Sequence, residues 1–136
     1  MLNIIGIGSA YPDTVIHNED LLKTRGAHDF TQLFPGAKIK ARRSSLPLSY
    51  IEETGNTNTF AAQEVALISP TALGVKAAKD ALESSGLQVG QLGLILGDTS
   101  TPIQTTPGEG QRIAGGLGIK GIAYDLVAAS CSLSAH

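Results

Sequence analysis

Gly121-Ile-Ala-Tyr-Asp-Leu-Val-Ala-Ala-Ser-Cys-Ser-Leu-Ser-Ala-His136 is the stretch that decides how this chain is read. Ile122, Tyr124 and Leu126 alternate with Ala123, Asp125 and Val127, the period-two pattern of a strand. Small residues follow, and they deliver the only cysteine of the chain, Cys131. Ala128-Ala129-Ser130 suits a tight strand-to-helix passage, with Ser132-Leu133-Ser134-Ala135 as the first helical turn. Two roles are open for such a thiol. It is either an inert buried side chain among small residues, or a thiolate nucleophile favoured by the unpaired N–H groups and the dipole at a helix N-terminus.

Working outward, the preceding strand is expected over Leu92 to Leu96, ending in Gly97-Asp98-Thr99-Ser100. Polar residues after the carboxyl end of a parallel strand line α/β ligand sites, so Asp98, Thr99 and Ser100 are pocket candidates; a hydrogen-bonded turn is the other reading. Thr101 to Gly110 is a polar loop with two prolines. Gly108-Glu109-Gly110 to Ala114 starts a helix, Gly115-Gly116 is expected to break it, and Gly118-Ile-Lys-Gly121 turns into the terminal strand. These glycines do not follow a strand in the spacing of a dinucleotide fingerprint or phosphate loop, which argues against a nucleotide site.

The clearest helix runs from Pro70 to Ser85, with Ser69 as N-cap and Gly86 as stop. Ala72, Leu73, Val75, Ala77, Ala78, Ala81 and Leu82 make it apolar over more than half its circumference, with Lys76, Lys79, Asp80 and Glu83 as a polar stripe. It is expected to be largely buried and covered by two layers. Near the N-terminus, Leu2 to Gly8 reads as a central strand, and Asn18 as the N-cap of a helix Glu19 to Arg25 stopped by Gly26. His17 and His28 are polar loop residues without metal-ligand neighbours. Phe34-Pro35-Gly36 is a turn, Ile39 to Arg43 a short extended edge, residues 46–59 irregular, and Phe60 to Leu67 a helical piece. Lys38, Lys40, Arg42 and Arg43 form the one basic cluster able to meet phosphate.

Composition sets bounds. With 136 residues, 42% apolar and 16% charged, the chain is one packed α/β domain's worth. A formal net charge of -2 gives no basis for nucleic-acid or membrane-surface binding. No metal site is indicated. Neither a signal peptide nor a membrane span is expected, and one cysteine closes no intrachain disulfide, which points to the cytoplasm.

Asp125-Leu-Val-Ala-Ala-Ser-Cys131 resembles the strand and elbow that present the active-site cysteine in thiolase-like condensing enzymes, most closely of the β-ketoacyl-acyl-carrier-protein synthase III type. Three further stretches match in order: Ile4 to Pro12 with His17 to Leu21, Leu92 to Ser100, and Pro107 through Gly121. The resemblance implies an α/β chain, the N-terminal half of a thiolase-like layered fold over residues 1–136, with a mixed, mostly parallel sheet and helices on both faces. It implies Cys131 as the catalytic residue that accepts an acyl group, with its backbone N–H in the oxyanion hole. Lys40, Arg42, Arg43, Thr99, Ser100 and Thr106 are then substrate-binding. The substrates would be coenzyme A or acyl-carrier-protein thioesters, with no resident cofactor and with an acyl carrier protein as a possible partner.

The sequence departs from that family in having no tryptophan and in carrying Thr106 where a bulky apolar residue often precedes the proline. The histidine and the asparagine or second histidine of the family lie in its other half, so this chain alone is expected to be inactive. It is either a fragment or one subunit of a split enzyme. A homodimer or a heterodimer with a complementary half is expected, paired near Thr101 to Pro107 and Ile122 to Val127. Open alternatives are a thiolase, a hydroxymethylglutaryl-type synthase, an ester-forming acyltransferase, or a non-catalytic partner subunit of a two-chain synthase.

Overall fold

A computed structural model describes residues 3–24 and 38–127. Contacts divide the chain into two units, Met1–Ala10 with Ser69–His136, and Tyr11–Ile68. The elements expected at residues 25–37 and the elbow at 128–136, with Cys131, lie outside the described residues.

In the second unit, β1 (Thr14–His17) pairs antiparallel with β2 (Ala41–Ser44), Ile16 opposite Arg42 and Val15 opposite Arg43. Helix α1 (Asn18–Leu22) follows β1 directly. Asn18 is its first helical residue rather than its cap; the cap is His17, whose N–H donates to Asp20 Oδ2 at 3.0 Å. The Asn18 amide is used elsewhere, donating to Ile39 O at 2.6 Å. The helix stops at Leu22, short of the expected Arg25.

Residues 46–59, expected to be irregular, contain helix α2 (Leu48–Thr54) and the start of α3 (Thr59–Val65). Tyr50 explains the first: it is buried, and its hydroxyl donates to Asn58 O. Gly55 then ends α2 in the left-handed region at φ 59°, where glycine carries no Cβ penalty. Asn58 caps α3, accepting from Ala61 N–H.

In the first unit, α4 (Pro70–Ser85) has the expected ends, since Ser69 Oγ accepts from Ala72 N–H and Gly86 closes the helix at φ 70°. A 3-10 turn at Val89–Gln91 leads to β3 (Leu94–Gly97), then α5 (Glu109–Leu117) and β4 (Ile122–Asp125). Strands β3 and β4 are parallel, with Leu94 opposite Ile122 and Gly97 opposite Asp125. Leu126 N–H donates to Gly97 O at 2.9 Å and carries the ladder one step further.

Helix α5 packs against α4 and against both strands, so it is the centre of this unit. Gly115-Gly116 does not break it; it runs on to Leu117 and is closed by Gly118 at φ 75°. A Cβ on Gly116 would lie 2.6 Å from Val75 Cγ2, so packing against α4 outweighs the roughly 1 kcal/mol that an interior glycine costs a helix.

One expectation fails here. The run expected as a strand over Leu2–Gly8 is not one over its described residues 3–8; Asn3–Ala10 crosses α4 without regular structure, and Ile7 N–H and Ser9 N–H donate to Ser84 Oγ and Asp80 Oδ2. Helix α4 is only partly covered by the described residues: none of its own residues is completely buried, and its neighbours include α5 and residues 3–10.

Candidate active site

Parallel pairing sends the carboxyl ends of β3 and β4 to one edge, and the residues expected to bear chemistry leave from it. Thr99, half-buried, and Ser100, exposed, follow β3; the chain toward Cys131 follows β4. Thr99 Oγ1 accepts from Thr101 N–H at 3.1 Å, which folds the start of the loop back on itself. Thr106, exposed, precedes a cis peptide bond to Pro107 and lines a cleft of ≈ 230 Å³ with Thr105, Gly108, Gln111, Tyr124 and Asp125.

The geometry of this edge is set by Asp125, which sequence reasoning did not single out. Its Oδ2 accepts from Glu109 N–H at 2.8 Å and its Oδ1 from Gly110 N–H at 2.6 Å. These are two of the N–H groups that a helix start leaves without intrahelical partners, and a carboxylate there is favoured by the helix dipole as well. Glycine makes the approach possible: a Cβ on Gly97, Gly108 or Gly110 would come within 2.6, 2.5 or 2.9 Å of an Asp125 carboxylate oxygen. The glycines that do not spell a nucleotide loop therefore build a seat for the chain's own anion. The signal was present as a lone acid ending an apolar strand, with glycines at the start of the neighbouring helix.

Glu109 extends the network. It is 3% exposed; its Oε2 accepts from the Thr71 hydroxyl at 2.6 Å and its Oε1 from Ile103 N–H at 3.2 Å. Arg112 Nε donates to Thr71 Oγ1 at 3.0 Å and lies 3.8 Å from Glu109 Oε1. Four segments of the first unit thus converge on the beginning of α5.

The basic cluster is divided. Arg42 and Arg43 are consecutive on β2, so they face opposite sides of the strand. Arg42 lies opposite Ile16, which is 2% exposed, whereas Arg43 lies opposite the exposed Val15. Arg43 Nη1 donates to Pro12 O and Asp13 O at 3.3 and 3.1 Å. Lys40 is exposed ahead of the strand and lines an open cleft of ≈ 530 Å³ with His17, Asn18 and Glu19. Among the described residues, no group of three His, Cys, Asp or Glu side chains is placed to hold a metal ion. No described helix is long and apolar enough to cross a membrane.

No protein-family model matches the chain. Among curated proteins it is 32% identical over 130 residues to a β-ketoacyl-[acyl-carrier-protein] synthase III of Rhizorhabdus wittichii, covering 95% of this chain and 34% of that protein. The protein of the same name from Sphingopyxis alaskensis is 32% identical over 128 residues, covering 93% of this chain and 33% of its own length. The chain thus spans about a third of the length of the curated relatives it matches.

Among solved structures, the 3-oxoacyl-[acyl-carrier-protein] synthase III of Aquifex aeolicus superposes with a TM-score of 0.68 at 28% identity, over 94% of this chain and 35% of that one. AbyA1, a tetronic acid condensing enzyme, superposes with a TM-score of 0.72 at 21% identity, over 93% and 36% of the two chains, and speaks for the fold alone. In sequence and in fold the chain is similar to the N-terminal part of the thiolase-like condensing enzymes, and to β-ketoacyl-acyl-carrier-protein synthase III in particular.

Proposed function

We propose that this chain is the N-terminal part of a synthase III-like condensing enzyme of fatty-acid or polyketide-type biosynthesis. The observation that carries the reading is the 32% identity across 95% of the chain to proteins of that name. The parallel β3–β4 edge supports it, because β4, the strand that precedes Cys131 in sequence, ends at the same edge that Thr99 and Ser100 follow.

In this reading the Cys131 thiolate attacks the carbonyl carbon of an acyl thioester. The bond to the carrier sulfur breaks, the carrier leaves as thiolate and takes up a proton, and the acyl group is held as a new thioester. A carbanion from a second substrate then attacks that thioester and releases Cys131. The Cys131 N–H stabilises the tetrahedral oxyanion. Donors are coenzyme A or acyl-carrier-protein thioesters, the compartment is the cytoplasm, and the working unit is a dimer. Residues 1–136 form the first part of one thiolase-like domain, with the remaining catalytic side chains supplied by sequence or a subunit beyond it.

The test is acylation of the natural protein by an acyl thioester, read by intact mass. One acyl adduct is expected, absent from Cys131→Ala; an adduct of equal yield in that variant rejects the assignment.

Lys40 and Arg43, the exposed members of the divided cluster, are assigned to carrier docking. Replacing Lys40 and Arg43 by Ala is expected to raise KM for the thioester severalfold at low salt, less at high salt, with kcat nearly unchanged. A loss confined to kcat would show that these residues act elsewhere.

A further inference from the structure

Glu109 is the one buried charged side chain among the described residues. An acid in the first turn of a helix is favoured by the dipole at the surface, which requires no burial. Burial instead places the carboxylate where it joins separate segments: Thr71 at the start of α4, Ile103 in the loop between β3 and α5, and Arg112 one turn along α5. The backbone N–H of the same residue is held by Asp125 at the end of β4. Other hydrogen bonds of the loop are local, Thr101 N–H to Thr99 Oγ1 and Gln104 Nε2 to Thr106 O. The bond from Ile103 ties the middle of the loop to elements outside it.

That loop, residues 98–108, carries Thr99, Ser100 and Thr106. We propose that Glu109 is a positioning residue that sets acyl selectivity by clamping this loop to α4 and α5. The selectivity rests on the condensing-enzyme reading above; the clamp does not. Glu109 touches no substrate in this account. It acts through the loop, whose displacement moves Thr99, Ser100 and Thr106, the residues expected to bind substrate.

The test compares Glu109→Ala with Glu109→Gln in the natural protein. A glutamine can keep both ends of the bridge, its amide oxygen accepting from Ile103 N–H and its amide nitrogen donating to Thr71 Oγ1. Alanine keeps neither. Hydrogen exchange at Ile103 is expected to quicken about tenfold or more in Glu109→Ala and to stay near the parent rate in Glu109→Gln, as for loss of a bond to a charged group.

Acylation rates across acyl thioesters of two to ten carbons are expected to change their ratio about fivefold or more in Glu109→Ala, and to return to the parent ratio in Glu109→Gln. Should Glu109→Ala fail to fold, Thr71→Val removes the hydroxyl that anchors Oε2 and is expected to shift both readouts in the same direction. Unchanged exchange at Ile103 overturns the clamp. A uniform fall for every thioester, with the ratio intact, overturns the selectivity role. Absence of any adduct on the parent protein overturns the condensing-enzyme reading and the selectivity with it, while the exchange measurement still decides the clamp.

Discussion

Ile4-Ile-Gly-Ile-Gly8 and Leu94-Ile-Leu-Gly97 are written in nearly the same letters, yet they end in different structures. The second is β3, hydrogen-bonded in parallel to β4 and covered on one face by α5. The first is not a strand; Ile4, Ile5 and Ile7 are 79%, 63% and 76% exposed, and side chains of α4 satisfy the N–H of Ile7 and that of Ser9 just beyond the run. Both runs bring glycine within backbone distance of a helix, since a Cβ on Gly8 would lie 2.2 Å from Ala77 O and one on Gly97 would lie 2.5 Å from Gly110 N. An apolar run becomes a strand only where another backbone offers it a ladder. Hydrophobicity alone brings it to the helix and no further.

The glycines test this contrast most strongly. Gly97 is enclosed by Gly110 and the Asp125 carboxylate, both fixed in the β3–α5–β4 unit, so Gly97→Ala is expected to destabilise by about 3 kcal/mol in urea unfolding. Gly8 faces a still shorter contact, but its segment is held to α4 by side-chain hydrogen bonds and not by a strand ladder, and Gly8→Ala is expected to cost about 1 kcal/mol. Equal losses would show that residues 3–10 are as firmly integrated as β3.

The acids sharpen the same comparison with smaller effects. Asp125→Ala strips two helix N–H groups of their acceptor in a partly buried place, and about 2 kcal/mol is expected. Asp80→Ala removes the acceptor of Ser9 N–H at an exposed site, where water replaces it; a loss within about 0.5 kcal/mol and faster amide exchange at Ser9 are expected. A larger loss from Asp80 than from Asp125 would invert the ranking of the two regions.

These contrasts also show what was legible in the sequence. Helix α4 was readable to the residue because Ser69, Pro70 and Gly86 act locally. Strand β3, the start of α5 and strand β4 were readable from period and turn chemistry, although each strand is shorter than expected. Residues 3–10 misled because the missing ingredient, a backbone neighbour, is not written in the segment. Gly115-Gly116 misled because the value of Gly116 lies in Val75, some forty residues away. Strand β1 went unseen because Thr14–His17 is short and takes its register from β2, and α2 because the polar run Glu52-Glu53-Thr54 hid the burial of Tyr50.

In the candidate site, chain order alone puts Thr99 and Ser100 after β3 and Thr106 before α5, while the Asp125 seat and the Glu109 bridge depend on long-range contacts and were missed. Strand alternation alone separates Arg42 from Arg43, which a count of charges does not reveal.

The bond between Ile7 and Ser84 spans 77 residues of chain. During synthesis at about 5–20 residues per second, the isoleucine-rich segment is therefore complete some 4–15 s before the helix that receives it exists. Throughout that interval the N–H groups of Ile7 and Ser9 have only water to bond, since the serine and the aspartate that accept from them have not been made. The order in which the ribosome delivers the parts thus leaves residues 3–10 without their hydrogen-bond partners until α4 emerges, and Ile4, Ile5 and Ile7 remain largely in water even then.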